Sequence, residues 1–262
     1  MGVFSVFWSA PLLLMVLTSL KTDEEVLASP FSWPHVWSIK AYLDTWKALG
    51  YSTLLFNSVL YSVLGTIVAI LLALVPAFAL SRFQLKARVS ILVLLLIPLM
   101  LPQQTVIIPL FNLFRSAGLI DTRLGLILIH AAFGMPLELL ILVGFLSNIP
   151  KELEYAARLD GCDDVKMLWH IVIPLAIPAI AVGFTLNVIE IWKEYFFSLV
   201  FLSSEKFMPV TLGIIRVTND RYFHAINVPA AAVIMAQFPI LLLFVFTYRW
   251  ISQGIYMGSV KS

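Results

Sequence analysis

The sequence predicts an all-α, polytopic membrane protein with six spanning helices, and three observations carry that prediction. The composition is too apolar for water: 61% of the 262 residues are hydrophobic and 12% charged, with a mean hydropathy of +0.97. Soluble domains stand nearer about half apolar and about a quarter charged. Uncharged stretches recur at 1–20, 48–81, 89–114 and 222–248, each near or above the roughly 20 residues a helix needs to cross a bilayer. Two further stretches, 124–150 and 167–201, are as apolar but hold charges in mid-span.

These stretches place spans near 2–20, 52–80, 89–112, 124–146, 176–200 and 228–250. The first lacks a basic leader, Pro11 interrupts it, and Asp23-Glu24-Glu25 follows without a persuasive cleavage site, so it reads as a span rather than a secretory signal. In the third, Pro98, Pro102 and Pro109 each remove a backbone donor and bend the helix, and Gln103 and Gln104 sit beside the second of them. Such a helix reads equally as a moving break or a static kink. The intervening segments 21–51, 81–88, 113–123, 147–175 and 201–227 read as loops. No low-complexity tract, repeat or second domain interrupts this plan, so one transmembrane domain covers 1–262. Six passes put both termini on one side. Basic residues divide evenly between the two sides, but Arg82, Lys86 and Arg88 cluster in 81–88 without an acid, which favours that side as cytoplasmic.

The net charge of +2 and the lack of a basic stripe with interleaved aromatics give no ground for nucleic-acid binding. The single cysteine, Cys162, excludes an internal disulfide and any multi-cysteine metal site. His130 and His224 have no partner at metal spacing and read as packing or loop residues. No Gly-x-x-x-x-Gly-Lys-Ser/Thr loop occurs, so the chain has no phosphate cradle of the usual kind.

The most informative polar stretch is Asn148-Ile149-Pro150-Lys151-Glu152-Leu153-Glu154-Tyr155-Ala156-Ala157-Arg158-Leu159-Asp160-Gly161, followed by Ile171-Val172-Ile173-Pro174. It reads as a short helix. Ser147 or Asn148 can cap it, and Pro150 suits its first turn. Glu152 and Glu154 lie near the positive end of its dipole, and Gly161 supplies a stop. Leu153, Ala156, Ala157 and Asp160 fall near one face, thinned by the paired alanines. Such a helix either docks in a partner's groove or lies at the interface with a solvated acidic face.

This pattern resembles the EAA loop of ABC importer permeases, whose short coupling helix enters a cleft on an ATP-binding subunit. In that family a glutamate precedes two alanines, Asp-Gly follows, and Ile-x-Leu-Pro closes the loop. Ala156, Ala157, Asp160, Gly161, Ile171 and Pro174 match. Tyr155 stands where the glutamate usually is, and Ile173 replaces the leucine. Glu154 offers a carboxylate one residue earlier, about 100° away around the helix. The resemblance extends to Ser19-Leu20-Lys21, Ser81-Arg82-Phe83, Gly118-Leu119-Ile120-Asp121-Thr122 and the closing Gly254-Ile255-Tyr256-Met257-Gly258-Ser259-Val260-Lys261, which are similar to the smaller permease subunit of maltose-type systems. It implies a type I ABC importer permease fold and import of a sugar or oligosaccharide by alternating access. A polyol or glycerophosphate-type solute fits it too. Glu154, Tyr155, Ala156, Ala157, Asp160 and Gly161 are the residues it assigns to coupling. Its implied partners are a second permease, two ATP-binding subunits, an extracytoplasmic solute-binding protein and the lipid bilayer. No cofactor is implied in this chain, ATP and magnesium being held by the partners, and the chain is no enzyme. The 147–175 loop and both termini would face the cytoplasm of a cell membrane.

Charges inside the spans complete the reading, since an ionisable group at mid-bilayer marks function by default. Gly183, Asn187, Glu190, Glu194 and Ser198 recur at steps of four, three, four and four, and at about 100° per residue they form one narrow stripe. Its carboxylates and amide suit hydrogen bonds to sugar hydroxyls, with Lys193 in reach of Glu190 and Trp192 on the opposite face. Glu138 is a lone acid in the fourth span, unusual for the family. The stripe reads either as pathway lining or as groups that pair with one another or with a second permease. A stand-alone carrier would instead use Glu138, Glu190 and Glu194 for a coupling ion, but it would not need the coupling loop.

Overall fold

The computed structural model describes residues 2–150, 152–219 and 226–259; among the residues named above, Lys151, His224, Val260 and Lys261 lie outside these. Thirteen α-helices and no strand occur among the described residues. They are α1 Gly2–Ser19, α2 Asp23–Ala28, α3 Lys40–Ala48, α4 Tyr51–Arg82, α5 Arg88–Met100, α6 Ile107–Ser116, α7 Arg123–Leu146, α8 Glu152–Leu159, α9 Asp164–Met167, α10 Ile173–Lys193, α11 Phe196–Phe201, α12 Val210–Asn219 and α13 Asn227–Ser259.

Among the described residues four helical stretches are long and apolar enough to cross a membrane: Tyr51–Arg82, Arg123–Leu146, Asp164–Lys193 and Asn227–Thr247. The first expected span is the helix α1, whose fully described part Phe7–Ser19 is shorter than a full crossing. The third is broken. Between α5 and α6 the axis turns by 98°. Leu101 and Pro102 are extended there, with ψ of 131° and 130°; Leu101 is held so by the ring of Pro102, which disfavours a helical residue before it.

Three expected boundaries move. The 147–175 loop is helical from Asp164, because Asp163 caps α9 by accepting from the Lys166 backbone N–H (2.7 Å). A π turn at Leu168–Val172 then leads into α10, where Pro174 has no N–H to offer the preceding turn. The fifth span ends at Lys193 rather than near 200, since Tyr195 leaves the helix (φ −130°, ψ −21°) before α11 begins. The 201–227 segment contains the ten-residue helix α12.

Two compact units divide the chain. One is Met1–Val59 with Glu194–Leu242. Its core gathers Tyr51, Leu54, Met208, Val210, Leu212, Ala232 and Ala236. Polar groups from α4 complete its backbone: Asn57 Nδ2 donates to the carbonyls of Lys206 (3.0 Å) and Met208 (2.9 Å), and Ser58 Oγ accepts from Val210 N–H (2.8 Å). Lys21 is wholly buried, its ammonium donating to the carbonyls of Ser29 (2.8 Å) and Pro30 (3.2 Å) and to Ser32 Oγ (3.3 Å). That fixes the chain leaving α1.

The other unit is Leu60–Lys193 with Leu243–Ser262. Its core packs Ala73, Leu74, Ala77, Leu139, Leu142, Leu146, Met167, Val172 and Ala176. Alanines on facing helices let backbones approach closely, which is how spans associate where lipid supplies no hydrophobic drive. Outward faces carry exposed Leu71, Leu72, Val75, Val93 and Leu94, a surface that hydrocarbon solvates and water does not.

Candidate functional sites: the loop helix and a polar contact between spans

Helix α8 runs from Glu152 to Leu159 and closes in a Schellman turn. Cys162 N–H donates to Ala157 O (3.0 Å) and Gly161 N–H to Arg158 O (3.1 Å). Gly161 takes φ +84°, the left-handed conformation this turn needs and side chains resist. The N-terminal side differs from expectation. Ser147 ends α7, and Asn148 Nδ2 donates back to Gly144 O (3.0 Å), so both residues close the span before α8 rather than open α8 itself.

The helix presents two faces. Leu153, Tyr155, Ala156, Leu159, Asp160 and Gly161 are exposed, Leu159 at 89%. Glu154 and Ala157 turn inward. Ala157 therefore leaves the outward face on which the sequence placed it beside Leu153, Ala156 and Asp160, because α8 seats its Glu154–Ala157 edge on the protein. Arg82, the last residue of α4, forms an ion pair through Nε with Glu154 Oε1, both side chains nearly buried. Its Nη1 also donates to Ile149 O (3.4 Å). At the C-terminal end, Arg158 Nη2 pairs with Asp164 Oδ1 (2.5 Å) in the open.

A second constellation lies inside the spans. Glu138 of α7 is wholly buried and Asn187 of α10 nearly so. A Cβ placed on Gly183 would collide with Glu138 Oε2, and one on Gly134 would meet Asn187 Oδ1 at 2.6 Å. The two antiparallel helices thus interlock reciprocally: each carries a glycine and, four residues on, a polar side chain that fills the other's notch. The Glu138 carboxyl interacts with the Asn187 side chain, yet among the described residues both carboxyl oxygens and Asn187 Nδ2 lack a hydrogen bond of good geometry. Four residues before Gly134, the buried His130 packs against Gly65 of α4, where a Cβ would lie 3.0 Å from its own.

The remaining stripe residues separate. Glu190 is exposed and pairs with Lys193 (2.6 Å), an open ion pair of a kind that contributes about 0–1 kcal/mol. Trp192 is buried. Glu194 follows the end of α10, and its Oε1 accepts from Phe197 N–H (2.8 Å) at the start of α11. The continuous stripe through Ser198 is therefore interrupted: Glu194 caps a new helix, and Ser198 lies on it. Sequence reasoning overlooked Gly134 and read Arg82 only as part of the basic 81–88 cluster and the Ser81-Arg82-Phe83 match, not as a partner of α8. The repeated spacing Gly134-x-x-x-Glu138 and Gly183-x-x-x-Asn187 was the available signal for the first.

The family model described as "binding-protein-dependent transport system inner membrane component" matches residues 65–256. The probable ABC transporter permease protein YurM of Bacillus subtilis is 30% identical over 251 residues, covering 96% of this chain and 83% of the relative. The sulfoquinovosyl glycerol transport system permease protein SmoH of Agrobacterium fabrum is 30% identical over 261 residues, covering 99% and 89%. Among solved structures, a bacterial ABC transporter involved in importing the acidic polysaccharide alginate superposes with a TM-score of 0.83 at 24% identity, over 95% of this chain and 93% of that one.

Proposed function

Since the chain belongs to the family of binding-protein-dependent transport system inner membrane components, we propose that it carries a sugar or oligosaccharide across the cell membrane by alternating access. It is a multi-pass permease subunit, and ATP hydrolysis belongs to separate subunits of such systems. The sugar reading is supported by relatives named for carbohydrate solutes, sulfoquinovosyl glycerol among them. The mechanical reading rests on one observation above all: α8 is a capped helix whose edge of Leu153, Tyr155, Ala156 and Leu159 is left exposed among the described residues. An apolar helical edge of this kind fits a groove on a partner.

In this proposal the outward edge of α8 seats in an ATP-binding subunit, and closure of two such subunits displaces it. A second permease completes the pathway, and an extracytoplasmic binding protein delivers the solute. The 147–161 segment then faces the cytoplasm, as do both termini, and the whole chain works as one permease domain. Nucleotide and magnesium are held by the partners. Glu190 is the pathway group exposed in this conformation; Glu194, its Oε1 held by Phe197 N–H and its Oε2 buried, would reach solute only where α11 moves. Glu138 and Asn187 become available only where α7 and α10 part.

The test is a cross-link. With Cys162→Ser as background, Tyr155→Cys in membranes carrying the whole importer is expected to cross-link to the ATP-binding subunit. A cysteine that reaches only lipid-soluble reagents or its own chain would defeat the docking. For the pathway, the pair Glu190→Gln and Glu194→Gln is expected to lower solute uptake while the purified complex retains its subunits. Loss of assembly would make these residues structural.

A further inference from the structure

The inward edge of α8 carries something the outward edge does not explain. Glu154 is not turned toward a partner: it is nearly buried, and so is the guanidinium it pairs with. Arg82 terminates α4, a 32-residue span, and holds the Ile149 carbonyl on the way out of α7. One side chain thus joins the end of one span, the exit of another and the first turn of α8. One turn further along α8, Ala157 is small enough to seat the helix closely. A buried ion pair is an indifferent source of net stability, because desolvation offsets its attraction, but it enforces one arrangement of its partners.

We propose that the Arg82–Glu154 pair is the joint through which displacement of α8 reaches α4, and that Arg82 is a positioning residue for coupling. This rests on the docking of α8 proposed above. It assigns Glu154 to the inner side of that linkage, leaving Tyr155, Ala156 and Leu159 to meet the partner.

Removing one charge strands the other in a buried site, so the informative variants change both. Arg82→Gln with Glu154→Gln removes the ionic joint without leaving a lone charge, and Arg82→Glu with Glu154→Arg rebuilds it reversed. Each is measured in the complete reconstituted importer as ATP hydrolysed per solute imported, with the Tyr155→Cys cross-link run alongside. The neutral pair is expected to raise that ratio about tenfold, within the range typical of coupling between sites, and the reversed pair to bring it back within about twofold of wild type. A wild-type ratio in the neutral pair overturns the proposal. So does a neutral pair that fails to assemble, since the contact is then merely structural, or a reversed pair that remains uncoupled. The cross-link separates the two claims: if it forms in every variant while the ratio stays flat, docking stands and the joint fails; if it never forms, docking itself is wrong.

Discussion

Gly161→Val is expected to uncouple ATP hydrolysis from uptake. The position has room, since no atom lies within 4 Å of where a Cβ would stand; the obstacle is the backbone. At φ +84° an L-residue suffers a penalty of about 1–2 kcal/mol, and a β-branched one is worse placed still. The two bonds to the carbonyls of Ala157 and Arg158 depend on this turn. Without it the last turn of α8 frays, and the edge carrying Ala156 and Leu159 loses its fixed orientation. Gly161→Asn should lose least and Gly161→Ala should fall between, because asparagine tolerates the left-handed region. The measurement is ATP consumed per solute in the reconstituted importer. Wild-type coupling in Gly161→Val would show that the end of α8 transmits nothing.

Gly183→Leu is expected to have the larger effect on folding. Its Cβ alone would overlap the Glu138 carboxyl, which is wholly enclosed and has no open side to swing toward. Overfilling a packed interior typically destabilises by about 1–3 kcal/mol, and a polar group in the way raises that. Gly134→Leu meets Asn187 in the same manner. The signature to seek is non-additivity between neighbours: Glu138→Ala should rescue Gly183→Ala, while leaving Gly134→Ala unimproved. Thermal unfolding of the purified complex in detergent reads both. Independent, additive losses at 138 and 183 would contradict the interlock.

The parts of this molecule that lipid dictates were readable from sequence. Long apolar runs have one way to satisfy their backbone in hydrocarbon, so α4, α7, α10 and α13 fall where the long apolar stretches lie, charged in mid-span or not. Gly161 was readable because a glycine after a short polar helix has a definite conformational use. Asp163 was equally available as a cap and went unread, which placed the start of the fifth span too late. Other features depend on neighbours distant in sequence. Nothing about Glu154 alone distinguishes an edge facing a partner from one facing Arg82, and a rotation of α8 by one residue would exchange them. The stripe through Ser198 failed because helical periodicity assumes an unbroken helix, and Tyr195 breaks it.

The sharp turn between α5 and α6 has a consequence for the lipid around it. At 1.5 Å per residue, the 13 residues of α5 reach only about 20 Å, short of a hydrocarbon core of roughly 30 Å. Neither limb alone matches the thickness of its surroundings. Where acyl chains reach Leu101 and Pro102 they must shorten, tilt or give way to water and headgroups, since the carbonyls ending α5 have no next turn of N–H groups to donate to them. A break left facing lipid would thin the membrane beside it, and the elastic properties of that membrane would then enter the energetics of each conformation.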